Sequence, residues 1–192
     1  MASSWRETAE HVVDRRDDNL AHLKEAGIDR HTMTEAFLYF LRDRDELARS
    51  RFACRLSRRA LRKYRTVHLR TPDEKSSHRL DSLMWEYPMG SFLPHAVVGT
   101  PYHESCRILI GHEPVEAIRD AVIMNLTEDI PSDWQRFDRI VEIVIKQEEE
   151  RATLLRERYE EFNSPITEYR LDDWEPSEST SSADGEAEHA QT

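Results

Sequence analysis

The sequence predicts an α/β domain with a mostly parallel central sheet. Two observations carry this. Short apolar runs alternate along the chain with longer amphipathic segments, in the order strand, helix, strand, helix. The runs are also continuously apolar, as strands covered on both faces are, rather than alternating apolar and polar. With 192 residues, the chain is long enough for one domain with a sizeable core, plus tails.

Residues 1–32 are polar and charge-rich. Trp5 to Gly27 reads as a helix with a thin stripe of Val12, Val13, Leu20 and Leu23 and Gly27 as its stop. That stripe is too sparse for a core helix. The segment is therefore an extension outside the domain or, with Met33 just before the first strand, an over-extended reading frame. The domain is expected over residues 33–174.

Ala36 to Leu41 is the first strand. Asp45 to Tyr64 is a helix whose apolar face is Leu47, Ala53, Leu56, Ala60, Leu61 and Tyr64. Its opposite face is basic, with Arg49, Arg51, Arg55, Arg58, Arg59, Arg62 and Lys63. Thr66 to Leu69 is the second strand. Residues 74–86 form a helix with Leu80, Leu83 and Met84 at helical spacing, stopped by Pro88, which lacks an amide donor. A tight loop follows, closed by Pro94 and leading into the apolar run Ala96-Val97-Val98.

Strands then recur at Arg107–Ile110, Ala121–Met124 and Arg139–Ile145. Between the last two, Ile130 to Phe137 reads as a short connecting helix. Gln147 to Phe162 is a charged helix with Leu154, Leu155, Tyr159 and Phe162 turned inward. Ile166 to Leu171 is an edge strand, ending near Trp174. Residues 175–192 hold five acidic side chains, no Lys or Arg and almost nothing apolar. Such a segment is predicted to be disordered.

Composition narrows the function. A net charge of −11 and a pI near 5.3 argue against wholesale nucleic-acid binding, although the basic helix face over 49–63 is a local exception. The two cysteines, Cys54 and Cys106, form no CxxC and suggest a reducing compartment. The first twenty residues lack an apolar signal core, and no apolar run is long enough to span a membrane, so a cytoplasmic protein is expected. Five glycines form neither GxGxxG nor a Walker A loop, and no catalytic constellation stands out. His103, Cys106 and His112 are metal-ligating types, but no fourth ligand stands at regular spacing, so neither metal nor cofactor is expected.

Two places draw attention as binding sites. Trp85 and Phe92 flank the helix-to-loop junction, which seldom has core volume for both. One reading is an exposed aromatic anchor for a protein partner and the other is a local core cap. Arg156 and Arg158 lie beside Tyr159, near the strand end at Val144. A guanidinium fork beside an apolar pocket suits a peptide ending in an aromatic residue and a free carboxylate. The plainer reading is that these arginines pair with Glu150, Glu157 or Glu160 on the helix surface.

Two motif blocks carry a family resemblance. Leu80-Asp-x-x-x-Trp85 with Ser91-Phe92-x-Pro94-His95, and Arg156-Glu-Arg-Tyr159 followed by Trp174, resemble the chi subunit of bacterial DNA polymerase III over about residues 34–174. The resemblance implies a Rossmann-like, three-layer α/β fold without cofactor or catalysis. It implies an adaptor in the clamp-loader complex, whose contact with DNA is indirect. Trp85 and Phe92 match the family's aromatics at the surface for the psi subunit or an accessory helicase. Val144, Arg156 and Tyr159 match its pocket for the acidic C-terminal tail of single-stranded-DNA-binding protein. Where well-studied members carry lysines one turn either side of the key arginine, this chain has Ala152 and Glu160. Tail binding is then expected to be weaker or more dependent on Arg156, with Arg151 or Arg158 compensating. A nucleic-acid-binding or nucleotide-handling enzyme on the same fold is the alternative.

Overall fold

The structure, a computed structural model, describes residues 33–43, 45–87, 92–115, 120–146, 148–172 and 174. The expected N-terminal extension, Pro88 and the acidic tail lie outside these residues.

Seven strands form one sheet: β1 Glu35–Leu41, β2 Thr66–Arg70, β3 His95–Val97, β4 Ile108–Gly111, β5 Ala121–Asn125, β6 Arg139–Val144 and β7 Ile166–Leu171. Their order is β3-β4-β2-β5-β6-β1-β7, and every neighbouring pair is parallel. Parallel neighbours need crossovers. Among the described residues three are helical: α1 Glu46–Ala60, α2 Glu74–Glu86 and α3 Glu149–Glu161. Asp45 starts α1 by accepting the Ala48 N–H at 2.7 Å, and Asp73 starts α2 by accepting that of Ser76 at 2.6 Å. These caps satisfy amides that have no partner within the helix. Asn163, in the left-handed region at φ 53°, ends α3, a conformation that asparagine tolerates better than most residues.

Alternation along each strand sends side chains to two faces. Phe37, Tyr39, Val67, Leu69, Val141 and Ile143 meet Phe52 and Ala53 of α1 and Leu80 and Met84 of α2. Leu38, Ile123, Ile140 and Val144 meet Ala152, Leu155 and Tyr159 of α3, with Trp134 and Phe137. The result is a three-layer α/β fold, as the resemblance implied.

Several local expectations change. Ala96 and Val97 lie in an additional strand, β3, which pairs with β4 at the sheet edge. The expected helix over 130–137 is one 3-10 turn, Trp134–Arg136, because Trp134 must drop into the core immediately after Pro131. On α1 the buried stripe includes Ala48, Arg49, Phe52, Ala53, Cys54 and Ser57, while Leu47 is exposed. Arg49 therefore leaves the expected basic face. Its guanidinium pairs with Glu148 at the start of α3 and, at 3.4 Å, with Glu46. On α3, Ala152, Leu155 and Tyr159 face inward, while Leu154 is 65% exposed and Phe162 is also exposed. The i, i+3, i+7 stripe includes a small alanine that carries little apolar signal. Leu154 lies about 100° around the helix from Leu155 and cannot share it.

Leu155→Ala should therefore cost about 2–5 kcal/mol of stability, whereas Leu154→Ala should stay within about 0.5 kcal/mol. Urea denaturation of the two variants separates these outcomes.

Candidate functional site

Two accessible side-chain clusters stand on different faces of the domain. The first is at the end of α2. Leu80 and Met84 are buried and fix the helix against the sheet. Trp85, the next residue after Met84, must turn away from that face and is 59% exposed. Phe92 is 72% exposed, with its ring centroid 5.7 Å from that of Trp85. His95 supports the pair from below. Its ring lies 4.8 Å from the Trp85 ring and is buried. Nδ1 lies 2.6 Å from the Leu93 carbonyl, and Nε2 lies 3.2 Å from the Asp81 carbonyl. Sequence reasoning included His95 in a motif but gave it no role. The one N–H of a neutral imidazole can donate to either of these carbonyls, and the ring packs against the exposed indole.

The second cluster lies along α3 and the edge strand β7. The Arg156 guanidinium bonds Glu168 on β7, with Nη2 to Oε2 at 3.3 Å and a second, shorter contact through Nε. That hydrogen bond raises the Arg156 pKa beyond its ordinary value, with burial opposing and the charges of Glu168 and Glu160 adding. Two guanidiniums stand over the Phe40 ring, Arg156 at 5.4 Å and Arg170 at 4.6 Å from its centroid. This is cation–π geometry. Arg158 points elsewhere and pairs with Glu161 at 3.1 Å. The carboxylate partners of Arg156 and Arg158 thus differ from the three the sequence suggested.

Val144 and Tyr159 lie beneath this surface. Both are buried, Tyr159 completely. The Tyr159 hydroxyl donates to Glu142 Oε1 at 2.7 Å. Glu142 also accepts from Asn125 Nδ2 at 3.0 and 3.2 Å and from Arg151 Nη2 at 2.8 Å. Burial pushes the Glu142 carboxyl above its ordinary range, opposed first by the Arg151 charge and then by the hydrogen bonds. Burial and the neighbouring carboxylate push the Tyr159 phenol up as well. Arg151 is further held by the Thr127 and Glu128 carbonyls at 2.9 and 3.2 Å. Of the two positions one turn either side of Arg156, Ala152 faces the sheet and Glu160 faces solvent.

In parallel sheets, ligands usually sit at the carboxyl ends of the strands. Among the described residues, several of the chain's own polar groups stand in that region. Arg70, at the end of β2, pairs with Asp133 at 2.8 Å. Asp133 also accepts the Val115 N–H at 3.0 Å. Burial alone would raise Asp133, but these bonds and the Arg70 charge hold it below the ordinary carboxylate range. Asn125 ends β5 and faces Glu142. Elsewhere, His103 bonds the Thr100 carbonyl at 2.8 Å. Among the described residues no three His, Cys, Asp or Glu side chains gather as metal ligands.

These observations define a class: a parallel α/β domain whose accessible chemistry is aromatic and ionic and lies on its outer faces. A family model described as DNA polymerase III chi subunit, HolC, matches residues 33–166. A relative from Pseudomonas aeruginosa, DNA polymerase III subunit chi, is 30% identical over 142 residues, covering 72% of this chain and 98% of that protein. The chain belongs to the DNA polymerase III chi subunit family, and its setting is DNA replication.

His68, on β2 beside Arg70, gives the domain a pH dependence. Burial first, then the Arg70 charge, lowers its pKa to about 4, with Asp133 opposing. Protons therefore bind the unfolded chain first as pH falls, and stability declines between about pH 6.5 and 4. The His68 contribution to that loss should be about 2 kcal/mol between pH 7.5 and 5. Comparing denaturation of wild type and His68→Gln at both pH values isolates it.

Proposed function

We propose that this chain is a non-catalytic accessory subunit of the clamp-loader complex, joining the psi subunit to the C-terminal tail of single-stranded-DNA-binding protein in the cytoplasm. The observation that carries this reading is the exposed Trp85–Phe92 pair. Two large aromatics in contact with each other and open to solvent are costly for an isolated domain and suit a buried anchor in a complex. They serve psi or, in its place, an accessory helicase.

The second contact is at Arg156. In this reading Arg156 holds the terminal carboxylate of the tail. The half-buried Phe40 ring, over the buried Val144 and Tyr159, offers the apolar floor for the last aromatic side chain. Acidic residues further up the tail meet Arg170. Glu168 already holds Arg156 and competes for the same guanidinium. Contact with the DNA itself is indirect. An enzyme handling nucleotides or nucleic acid on this fold is the weaker reading, because Arg70–Asp133 and the Glu142 network stand where such a fold would hold phosphates.

Titrating a labelled tail peptide tests the second contact. Arg156→Ala should weaken binding by about 2 kcal/mol, roughly thirtyfold. Glu168→Gln, which frees the guanidinium, should tighten it severalfold. Both effects should shrink with added salt. Equal affinity for wild type and Arg156→Ala at low salt would remove this site from the proposal.

For the first contact, the double variant Trp85→Ala, Phe92→Ala should lose at least about 2 kcal/mol of affinity for psi or the helicase. Its peptide affinity should not change, because the two surfaces are separate. Calorimetry with each purified partner reads both values.

A further inference from the structure

The basic face of α1 has no role in the functional reading above. Arg51, Arg55, Arg58 and Arg62 recur at i, i+4, i+7 and i+11, which puts them on one stripe about 17 Å long. Arg51 stands over the Tyr87 ring at 5.4 Å, and Arg55 Nη1 lies 3.4 Å from the Tyr87 hydroxyl. These two hold one end of the stripe against α2. Arg58 and Arg62 are exposed and form no ion pair with a described carboxylate. An arginine stripe on a chain of net charge −11 invites an acidic partner.

One acidic partner is covalently attached. Trp174 packs edge-on against Phe52 of α1, with ring centroids 5.4 Å apart at 81°. Its indole N–H donates to Asp43 Oδ2 at 2.5 Å. The chain thus reaches residue 174 in the α1 layer, beside the inward neighbour of Arg51 and Arg55. Beyond it come Glu175, Glu178, Asp184, Glu186 and Glu188, with no Lys or Arg. We propose that residues 175–192 lie in cis along the Arg51–Arg62 stripe of α1 and shield it from other polyanions.

Length and placement support this occupant. A flexible segment of this size has a root-mean-square reach of roughly 20–25 Å, close to the length of the stripe. The tether then supplies an effective concentration of about a millimolar. The other cationic site, Arg156 with Arg170, belongs to the opposite layer, across the sheet from Trp174.

Paramagnetic relaxation in the full chain tests this. A nitroxide is placed at Ala190→Cys in a Cys106→Ser background, where the remaining Cys54 is fully buried. At low salt the amide signals of residues 55–62 should lose most of their intensity. The loss should vanish when salt rises from about 0.02 to about 0.5 M, which shortens the Debye length from roughly 20 to roughly 4 Å. It should also vanish in Arg58→Glu, Arg62→Glu, with the rest of the spectrum unchanged. A second variant, with the five tail acids changed to amides, should shift the α1 amides without any label. No broadening of α1 at low salt, broadening at α3 and β7 instead, or broadening that survives the charge reversal would each overturn the proposal.

Discussion

Glu142 is a carboxylate without exposed surface, in the interior of a parallel sheet, and much of the α3 layer depends on it. Leaving it without partners would cost several kcal/mol. Asn125 reaches it from the neighbouring strand, and Arg151 and Tyr159 reach it from α3. Two points of α3, eight residues apart, are thereby tied to one side chain on β6. With both fixed, the helix cannot slide or roll, and Arg156 must face the edge strand. The placement of the Arg156–Glu168 pair beside Phe40 is a consequence of this buried network.

The aromatic surface on the other side of the sheet is held by a similar device. Met84 goes into the core, so Trp85 comes out, and His95 fixes the orientation of the indole through its contacts with Leu93 and Asp81. Each outer cluster is thus carried by a rigid element and supported from inside. Such support leaves the exposed side chains fewer rotamers, which lowers the entropic penalty of ordering them in any contact. Arg49 connects the layers. Buried on α1, it reaches Glu148 at the start of α3, so the helices on opposite faces share an ion pair around the end of the sheet.

The strands were legible because burial on both sides leaves continuous apolar runs, and six of the seven were placed within one or two residues. β3 was not, because three residues at a sheet edge carry little periodicity of their own. Helix positions were legible from amphipathic spacing and punctuation, but α1 stops at Ala60 rather than the expected Tyr64, and the phases were less legible still. Leu47 and Leu154 look like core residues by type and are exposed. Ala48 and Ala152 look neutral and are buried. A small side chain marks where a helix comes close to a sheet, and hydrophobicity alone does not register that.

The candidate residues divide in the same way. The motif blocks contain Trp85, Phe92, Arg156 and Tyr159 and through them pointed to the family, whereas Val144 stands outside the blocks and took its role only from the resemblance. Residue type and spacing alone settled the alternation of strands and helices, the lack of a glycine-rich phosphate turn and the concentration of arginine on α1, because these are properties of local pattern. Only the tertiary structure decided which side chains meet. It buried Val144 and Tyr159, left Arg156 with Glu168 rather than with a carboxylate of its own helix, and placed His95 under Trp85. It also brought Trp174 to α1. These pairings join residues distant in the chain, and they follow from sheet order and helix phase, which local pattern does not encode.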